Sequence, residues 1–514
     1  MRTYPLRLLL TAAMWLCCCA GRVWAGDAAS GAGLVPSDVD LLVVVDDGAG
    51  WRSGPGGRWM LEAFRGATAE SEMDIAWRGL AAALRLDGDR AFDELLGRRV
   101  VFARRSTDEG DRASPWVVVS IVSDRTEALI RERLRASPRR VAGGVSVLSL
   151  EDGRFWLATS SSRSGATVML GPSAASGLFD EMLGTIGRNA PRSLLGSKLG
   201  DDLRAVQPGA SAIVFLRRRD AEGRLVLTGV GAKRVADGVE VGLLARSQLI
   251  AERVGRVGHT SRALFDAIAP SAYFAAVEWD VPGLLGALGL EWPTAALFPA
   301  LANFEGKEWI GPRSAYVVGR NGEDGVAAAA FQSKDTPRLA VAGDRLMGSI
   351  AQMMWEPRGL GEADAVMMDF GGRFPDARRE VDLSRTRLGG ASRAWFRNPA
   401  LAWAYHAEGD EGGSGGWWIV GVGARSVHVL GDAVASERDA GEAPTAPWLS
   451  LGIARPAALF SALREGGFEA PAVLSPLTTA CEMVDSFTWS LRRGDGGSIR
   501  GDASIRLLPM AEGR

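Results

Sequence analysis

The chain has 514 residues, with 59 Lys and Arg against 61 Asp and Glu, and is 47% hydrophobic and 23% charged. That balance is globular: it excludes an intrinsically disordered chain and a general nucleic-acid footprint, and the length suits two domains or more. Basic residues are nearly all arginine, the lysines being Lys198, Lys233, Lys307 and Lys334.

The first predicted element is an export signal at residues 1–25. Arg2 and Arg7 precede an apolar run from Leu8 to Ala20, and Val23-Trp24-Ala25 offers small residues at a cleavage site. Leu16-Cys17-Cys18-Cys19 gives a second reading, a lipoprotein box with a lipid anchor on Cys19. The expected location is therefore periplasmic or secreted, with an outer-membrane lipoprotein as the alternative. Cleavage after Ala25 leaves Cys481 as the lone cysteine, so stability must come from cores and not from an intrachain disulfide. No later segment has 18 uninterrupted apolar residues, and Glu278, Asp280, Glu291 and three prolines break the richest one.

LVPSDVDLLVVVDDGAGW, residues 34–51, predicts a strand entered through Pro36-Ser37 and left through Asp46 and Asp47. IAPSAYFAAVEWDVPGLL, from Ile268, repeats the pattern, with Pro270 and Asp280 spaced like Pro36 and Asp46. RRVVFARR and then WVVVSIVSD in the first half answer to RSAYVVGR and then VAAAAFQSKD in the second. Each pair leads into a predicted helix. Asp124 is the expected N-cap of the first, with Glu127 completing a capping box; Thr336 is the expected cap of the second, with Pro337 at its first position. In that second helix Leu339, Leu346, Met347, Ile350, Met353 and Met354 form an apolar stripe suited to a core. Further on, FWLATSSSRSGATVMLG aligns with WWIVGVGARSVHVLG, and LGIARPAALFSAL gives another strand-Pro-helix piece.

These pieces predict an α+β fold of two tandem, duplicated modules of largely antiparallel sheet packed with helices, at residues 26–255 and 256–514. Turns such as Ala236-Asp237-Gly238 favour hairpins, and residues 408–416 and 432–446 read as surface loops.

Chemical motifs are sparse. Gly412-Gly413-Ser414-Gly415-Gly416 satisfies the G-x-S-x-G pattern, and a hydrolase can be drawn from Ser414 with His406 or His428 and Asp432. The pattern needs a strained strand-to-helix turn, whereas an acidic loop leads into Ser414 and a strand-like run follows it. A hairpin loop is the plainer reading. Gly229-Val230-Gly231 and Gly421-Val422-Gly423 read as hairpin glycines between strands, lacking the third glycine of a dinucleotide loop. His259, His406 and His428 show no zinc spacing. The clusters Asp38/Asp40/Asp46/Asp47 and Glu408/Asp410/Glu411 lack the EF-hand pattern and read as solvated acidic turns, and Asp46 reads as the exit of its strand. Arg493-Gly494-Asp495 and Arg500-Gly501-Asp502 are adhesive tripeptides by pattern, and the tryptophans, Trp395, Trp403, Trp417 and Trp418 among them, read as sheet packing. No catalytic residue, metal site or cofactor is assigned.

The export signal, the Pro-Ser strand opening with VVVDD and strand-Pro-helix pieces such as IARPAALFSAL resemble uncharacterised exported bacterial proteins that carry a domain of unknown function. The resemblance covers the layout of much of the mature chain and implies an envelope location and an α+β fold, with no activity and no residues to transfer. The expected function is binding or scaffolding of an envelope protein or ligand.

Overall fold

A computed structural model describes residues 33–53, 72–105, 116–135, 137, 139–142, 145–162, 165–173, 176–185, 194, 198–219, 224–254, 260–280, 304–322, 324–354, 368–370, 378–382, 396, 400–408, 415–439, 448–465 and 482–508. The signal segment with Cys19, and Cys481, His259, Trp395 and Ser414, lie outside the described residues. Two compact units emerge: residues 1–248 with 498–504 and 511–514, and residues 249–497 with 505–510.

In the first unit the strands are β1 (Leu41–Val45), β2 (Val100–Arg104), β3 (Trp116–Val122), β4 (Arg139–Ala142), β5 (Val145–Leu150), β6 (Phe155–Ser162), β7 (Gly165–Pro172), β8 (Ala212–Arg219), β9 (Leu225–Val235) and β10 (Gly238–Ser247). They pair in the order β4-β5-β6-β7-β3-β2-β1-β8-β9-β10. The helices are α1 (Gly48–Ser53), α2 (Glu72–Leu84), α3 (Gly88–Leu96), α4 (Asp124–Arg133), α5 (Ser176–Thr185) and α6 (Lys198–Val206). Side chains alternate across each strand, so Leu42, Val44, Val101, Ala103, Val117 and Val119 share one face with Phe179 and Met182 of α5. Val118, Val168 and Leu170 share the other with Leu80 of α2, Leu95 of α3 and Ile130 of α4. VVVSIV lacks polar alternation because both of its faces are covered.

In the second unit, after α7 (Gln248–Val254) and α8 (Arg262–Ile268), the strands are β11 (Ala272–Trp279), β12 (Ile310–Asn321), β13 (Asp324–Ser333), β14 (Met368–Phe370), β15 (Arg378–Asp382), β16 (Ala400–Glu408), β17 (Gly415–Val422), β18 (Trp448–Ala454) and β19 (Val484–Arg493); of the last strand, β20 (Ser498–Leu507), residues 498–504 belong to the first unit. The order of β11 to β19 is β14-β15-β16-β17-β13-β12-β11-β18-β19. Helices α9 (Thr336–Met354), α10 (Ala424–Asp439) and α11 (Pro456–Glu465) follow β13, β17 and β18. Ala275, Val277, Ala315 and Val317 share a face with Leu264 of α8 and Leu430 of α10, while Trp403, Tyr405, Trp418 and Phe331 share the other with Leu339 and Met347 of α9. Trp403, Trp417 and Trp418 are buried as sheet packing.

The expected fold class is corrected. Among the described residues strand exceeds helix, 47% against 38%, and each unit is built on a long run of antiparallel strands instead of being a module made chiefly by packed helices. The cause is that exposed backbone groups at strand edges are satisfied by further strands. What recurs is the pairing order: β11 to β18 pair with one another as their counterparts ten labels earlier do.

Several local expectations also move. Both helix caps lie one residue earlier than expected: the Ser123 hydroxyl accepts from the Thr126 amide at 3.1 Å, and Asp335 Oδ1 accepts from the Arg338 amide at 3.1 Å. Ser123 is already extended, at φ −73° and ψ 155°, so its side chain is the one that reaches back over the first turn. ARSVHVLG, matched in sequence to a strand, forms the start of α10, and residues 432–439, expected in a loop, continue that helix. FWLATSSS corresponds instead to β16, and GATVMLG to β17.

Candidate functional site

The exit of β1 answers whether Asp46 and Asp47 form a reactive pair. Asp46 is 7% exposed and both its oxygens face Arg99, which leads into β2: Nε meets Oδ1, and Nη2 donates to Oδ2 at 3.1 Å. Asp47 has φ 57°, and its Oδ1 accepts from the Gly50 amide at 3.1 Å, capping the short α1. Its Oδ2 accepts from Nη2 of Arg234, on β9, at 2.6 Å. Arg234 is buried and its guanidinium lies 5.2 Å over the Trp51 ring. Two guanidinium groups, from residues 53 and 187 positions away, therefore hold the acidic pair. Neither arginine carries a local sequence signal.

Pairing register shows which acid recurs. Val45 lies opposite Val100 and Ala212; Glu278 lies opposite Ser314 and Ser450. Val45 thus corresponds to Glu278, Asp46 to Trp279, and Asp47 to Asp280, which also has a positive φ of 46°. Matching Asp46 to Asp280 on sequence is a one-residue slip, and such a slip exchanges the sheet faces. Arg99 corresponds to Arg313, which lies opposite Trp279 and whose guanidinium is 5.1 Å over the Trp417 ring.

Glu278 is the most unusual titratable group described. It is 2% exposed on a strand with paired neighbours on both sides, and its Oε2 has no hydrogen-bond partner among the described residues. Burial pushes its carboxyl up to about 7. Tyr316, two rungs along β12, is pushed to about 12, first by burial and then by the Glu278 charge, against a hydrogen bond with Ser314. Ser450 across the sheet accepts the Trp489 indole N–H at 3.1 Å, and Trp489 stacks on Phe487 with ring centres 5.3 Å apart. In sequence Glu278 registers only as a break in an apolar run; a single acid on the inward phase of AYFAAVEW is the signal that marks it.

The remaining motifs do not converge. His406 lies on β16 opposite Trp417, and His428 is exposed on α10. Contrary to expectation, Gly421-Val422-Gly423 does stand between a strand and a helix. Gly423 has φ 87°, and the first turn of α10 is closed by the Ser426 hydroxyl, which donates to the Val422 carbonyl and accepts from the Ala327 amide at 3.0 Å. Gly229 and Gly231 lie inside β9, where a Cβ at Gly231 would stand 2.9 Å from Gln207 Cβ just past α6. Arg500-Gly501-Asp502 is part of β20 and not a loop tip. Among the described residues no helix is long and apolar enough to cross a membrane, and no group of three His, Cys, Asp or Glu could hold a metal ion. No family model, curated protein or solved structure matches the chain.

Proposed function

We propose that the chain is an exported cell-envelope protein, periplasmic or secreted, that binds or scaffolds a partner and does not act as a hydrolase. The observation that carries the non-catalytic half is the occupancy of Asp46 and Asp47. Arg99 takes both oxygens of the first; Arg234 and the Gly50 amide take those of the second. A general acid or base needs a proton site facing substrate, and these oxygens already accept charge-assisted hydrogen bonds. The charged start, apolar run and small-residue site of residues 1–25 support export.

The test is intact mass of the protein recovered from cell envelopes, followed by exposure to a broad serine-reactive phosphonate. Expected are a chain beginning at Gly26 and no label. A lipid-modified start at Cys19 moves the protein to the membrane surface, and an unprocessed cytoplasmic chain contradicts export. Stoichiometric labelling at Ser414, lost on replacing His406 or His428, makes the hydrolase the better reading.

A further inference from the structure

We propose that Glu278 is a proton-operated latch on the second unit: with the carboxyl protonated β11 stays closed against β12 and β18, and ionisation loosens that pairing. The geometry carries this. Glu278 is in the middle of the pairing order, flanked on its own face by Ser314 from β12 and Ser450 from β18, with one carboxyl oxygen unpartnered. A buried charge left without a compensating donor is costly, whereas a protonated carboxyl can itself donate to a neighbouring hydroxyl. The first unit, which has Val45 at this position, has no such group.

Among the described residues no positive charge is found to lower the Glu278 carboxyl. From β12 the titratable neighbour is Tyr316, which adds no positive charge, and Arg313 is engaged over Trp417. From β18 and β19 come Ser450, which accepts the Trp489 indole N–H, and two arginines: Arg455, just past β18, donates to the Ala269 and Ala272 carbonyls at the other end of β11, and Arg492 lies opposite Trp448. On α11, which packs against β11 and β19, Arg464 pairs with Glu482, and Glu465 with Arg320 at 3.8 Å. On α8, Arg262 and Asp266 pair with each other at 2.9 Å. Burial alone raises the Glu278 carboxyl, which supports a transition in the neutral range.

The experiment is amide hydrogen exchange of the full chain at pH 6 and pH 8, corrected for the intrinsic pH dependence of exchange. In the wild type, protection of β11 and β18 should fall about tenfold from pH 6 to pH 8, while β1 and β8 change little. Glu278→Gln should abolish the difference. Glu278→Val, the residue type used in the first unit, gives the same readout if the glutamine variant does not fold. Carbon-13 titration of the Glu278 carboxyl in the wild type needs no variant. A midpoint in the neutral range supports the latch, and a midpoint below pH 5 overturns it. It is equally overturned if wild-type protection is insensitive to pH, or if the tenfold fall survives in Glu278→Gln.

Discussion

At the exit of β1, Val45, Asp46 and Asp47 meet Val100, Arg99 and Arg234; at the exit of β11, Glu278, Trp279 and Asp280 meet Ser314 and Arg313. One strand end has its acids outside the apolar face and each matched to a guanidinium. The other has an acid one residue inward, at a position where a valine packs in the first unit, and its arginine lies over a tryptophan. The same pairing order therefore accommodates opposite electrostatics. A carboxylate is tolerated near a sheet end when donors reach it, and a carboxyl deep in the sheet is tolerated when it keeps its proton.

Breaking the sealed end should have the largest effect. Arg234→Ala removes a buried guanidinium, its pairing with Asp47 and its packing over Trp51, and should cost about 4 kcal/mol by urea unfolding of the first unit. Exchanging the two characters comes next. Val45→Glu places an unpartnered carboxyl at the position equivalent to Glu278 and should destabilise the first unit by about 3 kcal/mol at pH 8, less at pH 5. A smaller effect is expected where the sheet merely touches a helix. Gly231→Ala drives a Cβ against Gln207 and should cost about 2 kcal/mol in thermal unfolding. The smallest concerns the helix starts that the two units share. Ser123→Ala and Asp335→Ala should each cost about 1 kcal/mol, and Asp124→Ala and Thr336→Ala less than their preceding residues.

The sequence made the strands legible because their apolar runs end in turn residues: β1, β3, β11 and β13 fall where VVV, VVVSIV, FAAV and AAAAF predict them. Cap positions were legible to within one residue. Ser123 and Asp124 are both good capping residues, and backbone conformation, which has no local code, chooses between them. ARSVHVLG aligns in sequence with the GATVMLG strand because alternating small and apolar residues fit both periods, yet it is helical, with Val427 and Leu430 buried in one cluster with Ile419 and Ala402. The arginines that close the β1 exit were not legible, since they come from distant strands brought alongside by pairing. Glu278 was visible as a residue but not as a site. Its meaning depends on Ser314 and Ser450 arriving on either side of it.

The contrast between the two strand ends is tested most directly by unfolding free energy against pH for the wild type and Glu278→Gln. The folded carboxyl binds its proton more tightly than the ordinary value of 4.5 and near 7, so the folded state holds the extra proton between them. Its contribution is fully present below about pH 4.5, is lost as pH rises to about 7, and is flat beyond. At ~1.4 kcal/mol per pH unit that loss is about 3 kcal/mol. The predicted result is a wild-type curve that falls by this amount relative to Glu278→Gln across the window; two parallel curves would contradict the account.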